Sequence, residues 1–367
     1  MNDKLSKPFS NALPSDEGIL HGQAAVTRPT IADLAREAGV SVSTVDRVLS
    51  GRDPVRRATA ERVLAAASRI GFYAAGAIRQ RLGADRPQRT LGFLLQQRTM
   101  PFYAGLGERL AEATRTAATI QGRARVEHLD ELLPDHVAER LLRLGCEVDA
   151  IAVVAAEHPR VTQAIETLQG KGVPVLALIS DLSAPRRAAY VGLDNWKVGR
   201  TAAWAIAGFC RRPGRVGIIL GSHRYRCQEA CEIGCRSYFR ELAPDFHLLE
   251  PRSSLEEVRY GYESAIDLLR REPDLVGLFI AGGGAEGVMR ALREDDAYRR
   301  IVTVGLDLTE GTRSGLIDGV LRLVLAHPVR LLASTLVETM IVAIERGSQE
   351  PPRQLLLPFD ICTAENL

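Results

Sequence analysis

The sequence predicts an α/β protein: a small all-α module followed by a two-lobed body of doubly wound parallel sheets. Three observations predict it. Residues 30–50, TIADLAREAGVSVSTVDRVLS, read as two short helices joined by a tight turn containing Gly. From Thr90 onward, apolar β-rich runs alternate with amphipathic helical stretches, the pattern of parallel strands covered on both faces. Charge also divides the chain: residues 28–89 hold twelve Arg against six acids, a net +6, whereas residues 90–367 sum to −3. A basic module on a mildly acidic body fits a nucleic-acid reader joined to something else.

Residues 1–27 mix Ser, Pro, Gly, Asn and charge with little periodicity, and are expected to be a disordered lead-in. Thr30 is placed to cap the first helix, with Asp33 three residues on. Ile31, Leu34, Ala35 and Ala38 recur at helical spacing, and Gly39 ends the helix. Ser41 caps a second helix from Val42, whose Val45, Val48 and Leu49 face inward. Its polar face holds Ser43, Thr44, Asp46, Arg47 and Ser50. Hydroxyls at a helix N-terminus suit phosphate, and an Arg one turn later can reach a guanine edge. A third helix from about Val55 to Ile70 closes the core and offers Arg57 to phosphate.

Thirteen positions of this stretch stand in register with the pattern T-I-x-D-V-A-x-x-A-G-V-S-x-x-T-V-S-R-V-L-N. They are Thr30, Ile31, Asp33, Ala35, Ala38, Gly39, Val40, Ser41, Thr44, Val45, Arg47, Val48 and Leu49. On these residues the chain resembles the LacI/GalR family of bacterial transcription regulators. Asp46 departs from the family's Ser and Ser50 from its Asn, which bears on the operator sequence. The resemblance implies a DNA-reading headpiece over 28–75, drawing on Thr30, Ser41, Val42, Ser43, Thr44, Asp46, Arg47, Ser50 and Arg57. It implies a hinge over 76–89 that folds on the operator and wedges a Leu into the minor groove. Here the hinge is degenerate: the family's Pro-Asn pair is Ala74-Ala75, Arg79 matches, the wedge position is Arg81, and Leu82 comes one residue late. Leu82 inserts, or Arg79 and Arg81 read a narrow minor groove, or the segment is a basic linker.

In the body, TLGFLLQ (90–96), RARVEHL (123–129), DAIAVVA (149–155) and VPVLALI (173–179) read as strands. After Tyr190–Gly192 come VGIIL (216–220), a strand near 246–250, LVGLFIA (275–281), IVTVGLD (301–307) and LRLVLA (321–326), with helices between and a last helix near 328–346. The run is too long for one small sheet and breaks near Asp194-Asn195. Lobes are therefore expected over about 90–194 and 195–307, within a body of 90–362 whose remaining segments cross between the lobes. The resemblance implies a type I periplasmic-binding-protein-like fold with three crossovers between lobes.

Ligands of open α/β sheets sit beyond the carboxyl ends of the strands. That rule selects Gln97, Phe102, Tyr103, Asp181, Asn195, Arg224, Glu286 and Asp307 for a small polar effector, a sugar or sugar acid. An aromatic platform would stack on an apolar ring face, and carboxylates and amides would hold hydroxyls. Asp307 matches the family's effector-binding G-x-D, and Arg224 stands in for an Arg missing from CQEACEIGC.

Two other signals compete. Gly282, Gly284 and Gly287 follow a strand, with Asp307 twenty residues on, as in a dinucleotide site of an NAD-dependent oxidoreductase. A lone fingerprint that does not open its domain is weak. Cys227, Cys231 and Cys235 repeat at helical spacing, which is how a packed face looks, although three thiolates can also bind a soft metal. No His spacing or Ser/His/Asp set suggests catalysis, so no catalytic residue, metal or cofactor is expected. A sugar-binding receptor would need an export signal, and no apolar signal region or spanning stretch is visible. The expectation is a cytoplasmic, ligand-responsive repressor that binds double-stranded operator DNA as a homodimer, coupling effector and operator through population shift.

Overall fold

The computed structural model describes residues 28–84, 86–347 and 351–367. The lead-in expected over residues 1–27 lies outside them. Contacts divide the chain into two compact units that meet at residues 85 and 86.

The first unit is helical: α1 (Ile31–Ala38), α2 (Val42–Ser50), α3 (Arg57–Arg69) and α4 (Ala75–Ala84). Thr30 and Asp33 form a reciprocal capping box, and Gly39 closes α1 at φ 63°. The Ser41 hydroxyl accepts from the Thr44 N–H at the start of α2. Leu34, Val45, Val63, Ala66 and Ala67 make one core across three helices.

The segment expected to be a hinge covers residues 76–89. Most of it is helix α4, and Phe72 and Ile78 are buried in the headpiece core. Leu82 is partly buried against the same core, so it is not a free wedge. The cause is local: Ile78 stands where the family pattern has Ala, and a large apolar side chain anchors the helix to its neighbours. A fourth helix therefore follows α3 where the hinge is expected.

The second unit contains two sheets. Lobe 1 is built from β1 (Gln88–Leu95), α5 (Pro101–Thr116), β2 (Gln121–His128), α6 (Pro134–Leu144), β3 (Ala150–Val153), α7 (Pro159–Gly170), β4 (Val175–Leu178) and β5 (Ala189–Leu193). The chain then crosses into lobe 2 for α8 (Asn195–Phe209), β6 (Arg215–Leu220), α9 (Arg226–Leu242), β7 (His247–Leu248), β8 (Arg252–Ser253) and α10 (Val258–Arg271). Lobe 2 continues with β9 (Leu275–Ile280), α11 (Ala285–Leu292), β10 (Val302–Leu306), α12 (Glu310–Ile317) and β11 (Leu323–Ala326). It returns to lobe 1 for α13 (Val329–Arg346) and β12 (Arg353–Leu357), and crosses a third time to end in β13 (Asp360–Cys362).

The sheet orders are β12-β5-β4-β3-β1-β2 and β13-β11-β10-β9-β6-β7, with β8 paired to β6. All pairings are parallel except β11 with β13. In lobe 1, α5 and α13 cover one face and α6 and α7 the other. In lobe 2, α8 and α9 oppose α10, α11 and α12. Strands buried on both faces explain the continuous apolar runs.

One local reading needs correction. The strand expected near 246–250 is two short pieces separated by Pro251, which has no N–H to give a ladder. The segments after 307 serve both lobes: β12 completes the edge of lobe 1, and β11 and β13 extend lobe 2. The sequence hid β12 and β13 because they are short, partly exposed and flanked by Pro351, Pro352 and Pro358.

Candidate functional site

Two places gather chemistry. The first is the exposed side of α1 and α2. Ser41, Ser43, Asp46 and Arg47 are exposed, Thr44 and Ser50 partly so, and Val42 is 52% exposed at the first turn of α2. Ser41, Ser43 and Thr44 share hydroxyl contacts of 2.8–2.9 Å. The Arg47 guanidinium reaches the Ser43 carbonyl and the Thr44 hydroxyl at 3.4 Å, folding along its own helix. Such contacts are weak, and a phosphate or base edge exchanges for them readily. Elsewhere Arg57 pairs with Glu61 (3.0 Å), Arg79 reaches Ser68 (3.5 Å), and Arg81 lies beside Gly51. Leu82 faces the headpiece core instead of solvent alone, as described above.

The second is a cavity of about 210 Å³ beyond the carboxyl ends of the strands of both lobes. Phe102, Tyr103, Asn195, Glu286 and Asp307 line it, five of the eight residues selected by the strand-end rule. The other three lie elsewhere. Gln97 donates its amide to the Asp130 carbonyl within lobe 1. Asp181 is clamped by both arms of Arg187, at 2.7 and 2.9 Å, and by Gln354 of the crossing strand β12. With the Leu182 N–H (2.8 Å) as a fourth donor, all the acceptor sites of this largely buried carboxylate are taken and none is left for a ligand. Arg224 contributes only its main chain, whose carbonyl accepts from the Glu157 N–H across the cleft at 2.8 Å.

Asp307 sits at φ 59°, a left-handed backbone that aims its carboxylate at α13's lead-in. Its Oδ1 accepts both the His327 main-chain N–H (3.0 Å) and His327 Nδ1 (2.7 Å). His327 is 8% exposed, stacks near Phe102 at 5.6 Å, and leaves Nε2 buried without a partner. The strand-end rule would have found His327, the residue directly after β11; the helix that follows drew attention past it.

Glu256 had no sequence signal. It lies in an irregular turn, with Leu255 and Glu256 both left-handed at φ 51° and 64°, each costing about 1–2 kcal/mol. Its carboxylate accepts from Gln228 Nε2 (2.5 Å) and the Gly283 N–H (3.0 Å), and Gln228 Oε1 accepts from the Gly221 and Ser222 N–H groups. This chain of bonds fixes the loop of Gly282–Gly284 at the cavity wall. The glycine fingerprint thus serves a packed turn: a Cβ at Gly287 would overlap the Val258 carbonyl of α10.

Burial raises the Glu256 carboxyl above its ordinary 4.5, against the pull of its two hydrogen bonds. The folded chain therefore holds this proton more tightly than the unfolded chain. Stability from this group is present at acid pH and falls as pH rises from 4.5 through the folded value. Glu256→Gln is expected to flatten that part of the melting-temperature profile. Parallel profiles for the two proteins between acid and neutral pH would show that Glu256 does not carry it.

Cys227 and Cys231 reach the cavity wall and Cys235 lies in the core of lobe 2. Burial pushes the Cys227 thiol up to about 12 and holds the other two high as well. Protonated thiols in an apolar setting pack, and are poor nucleophiles and metal ligands.

Residues 30–74 match the family described as bacterial regulatory proteins, lacI family, and residues 91–348 match the periplasmic binding protein domain. The HTH-type transcriptional regulator MalR of Streptomyces coelicolor is 28% identical over 291 residues, 76% of this chain and 80% of MalR. The maltose regulon regulatory protein MalI of Escherichia coli K12 is 28% identical over 223 residues, 54% of this chain and 63% of MalI. Among solved structures, an ABC transporter solute binding protein from Agrobacterium vitis, bound with alpha-D-tagatopyranose, has a TM-score of 0.69 at 16% identity. The match covers 76% of this chain and 96% of that one. A solute binding protein from Burkholderia graminis with D-arabinose also scores 0.69, at 19% identity, covering 77% and 97%. These structural likenesses concern the body's fold.

Proposed function

Since the chain belongs to the lacI family of bacterial regulatory proteins, we propose that it is a repressor whose operator affinity is set by a sugar-like effector held between the lobes. The part common to the family is plain: it is a sequence-specific DNA-binding transcription regulator. The observation that carries the effector half is the cavity itself. Both lobes line it, one with Phe102 and Tyr103, the other with Asp307 and with His327, whose Nε2 is buried and unpartnered. The sugar-bound structures of the same fold and the maltose regulator among the relatives support that choice of ligand.

Two copies are expected to act together. One headpiece offers few base contacts, and joining two half-site readers multiplies affinity through effective concentration. The effector works only through a difference in its affinity for two arrangements of the lobes, which biases how the paired headpieces are held. The reading places the protein in the cytoplasm with its DNA, and gives it no enzymatic step. Among the described residues no helix is long and apolar enough to cross a membrane.

The test begins with operators selected from random duplexes by the purified protein. Arg47→Ala is expected to weaken the selected duplex by roughly 1–3 kcal/mol and to relax one base position, as read by fluorescence anisotropy. Equal loss on every sequence would make Arg47 a phosphate contact only. A sugar panel added to the wild-type complex then reports the effector: a compound that moves operator affinity supports the reading, and one that binds the body without moving it removes the effector role.

A further inference from the structure

The cavity's hydrogen-bonding capacity is lopsided. Three carboxyl groups line it, those of Glu256, Glu286 and Asp307, and no Arg or Lys is among the described lining residues. Several side-chain donors that approach it are already engaged, while the Tyr103 hydroxyl has no partner among the described residues. The Asn195 amide donates to the Tyr190 hydroxyl (3.2 Å) and the Leu193 carbonyl (3.1 Å). Gln228 Nε2 donates to Glu256, and the Thr312 hydroxyl donates to the Asp307 carbonyl at 2.7 Å. What remains toward the space is mostly acceptor, Glu286, the second oxygen of Asp307 and His327, beside the Tyr103 hydroxyl and the N–H groups that open α11.

His327 makes this specific. In the tautomer that carries its proton on Nδ1, shared with the Asp307 carboxylate, Nε2 is a bare acceptor. That atom is buried, belongs to a side chain more than nine-tenths buried, and has no partner. A buried unpaired polar atom is costly, and the atom that completes it must carry a proton. Apolar groups of Met100, Phe102 and Ile179 surround the rest. A carboxylate ligand would meet like charge with no cation to answer it, and at low effective dielectric that repulsion is strong.

Resting on the reading of this cavity as the effector site, we propose that the effector carries an ammonium group, held by Glu286, Asp307 and His327 Nε2, and that sugar acids are excluded. The ammonium N–H groups donate to those acceptors. Its carbon body lies against Phe102 and Met100, where a cation near an aromatic face gains further. Amino sugars and amines of other skeletons both present this group, and the chemistry recognised is the same.

The full chain is melted at neutral pH with primary amines, cyclic and acyclic, each beside its N-acetyl counterpart, together with neutral sugars and sugar acids. D-Glucosamine, N-acetyl-D-glucosamine, D-glucose and D-gluconate make one matched set. An amine is expected to raise the melting temperature, and its N-acetyl counterpart to lose most of that shift. Glu286→Gln, partly exposed and outside the core, is expected to weaken the amine roughly tenfold or more, the worth of a charge-assisted bond. Asp307→Asn gives a second reading of the same loss. A larger shift from neutral sugars or sugar acids, or no shift from any amine, overturns the proposal. Operator affinity measured in the same samples separates the two readings. A neutral sugar that moves it keeps the effector role and ends the amine; an amine that binds without moving it keeps the chemistry and ends the effector role.

Discussion

Leu34→Asp is expected to abolish operator binding while leaving the body's melting transition in place. Leu34 is fully buried at the meeting of α1, α2 and α3. The described headpiece, residues 28–84, is 57 residues long. At 0.05–0.15 kcal/mol per residue its whole stability is about 3–9 kcal/mol. Losing a buried Leu removes roughly 2–5 kcal/mol, and an unpaired carboxylate in the same place adds several more. The sum exceeds what the headpiece has. The body has its own cores and shares none of these residues. Calorimetry should show one transition lost and one retained, with anisotropy showing no specific complex. Loss of both transitions would mean that the two units do not fold independently.

Gly199→Val is expected to produce the complementary failure, in the body. Helices α8 and α9 cross so closely that a Cβ at Gly199 would overlap the Cys231 carbonyl, and one at Gly234 would overlap the Trp196 carbonyl. Both obstacles are backbone, which cannot swing aside as a side chain can. Overpacking of this kind costs 1–3 kcal/mol and occasionally more, and backbone obstruction puts it at the upper end. For a unit this large, about 3 kcal/mol lowers the melting temperature by roughly 5 °C. The same helices carry Asn195, Cys227 and Gln228 to the cavity, so ligand uptake should weaken by more than stability alone explains. A variant that melts normally and still takes up ligand would show that the helices separate without penalty.

The headpiece was legible because its signals are local. Thr30 with Asp33, Ser41 with Thr44, and Gly39 in its left-handed turn are contacts within three or four residues, so spacing alone reveals them. Its fourth helix was not, since only the tertiary core says that Ile78 points inward. In the body, buried parallel strands read clearly as apolar runs. The edge strands β12 and β13 did not, because an edge carries half the burial signal.

The cavity divided in the same way. Strand ends located Phe102, Asn195 and Asp307, but strand ends also have structural duties, and nothing local distinguished Asp181, bound to Arg187, from Asp307, open to the cavity. Glu256 joins the wall through a turn that no periodicity describes, and its partners Gln228 and Gly283 are 28 and 27 residues away.

The fourth helix also has a consequence for the order in which the chain is made. The headpiece is complete at residue 84, with its contacts all close in sequence, and 283 residues remain to be added. At the usual 5–20 residues per second that takes roughly 14–57 s, whereas small helical domains fold in milliseconds or less. Both sheets of the body wait longest, because β12 and β13 close their edges last. A nascent chain therefore holds a finished DNA reader for many seconds before it has anything that can be regulated. In the proposed paired form, where one reader alone binds weakly, such half-made molecules stay off the operator.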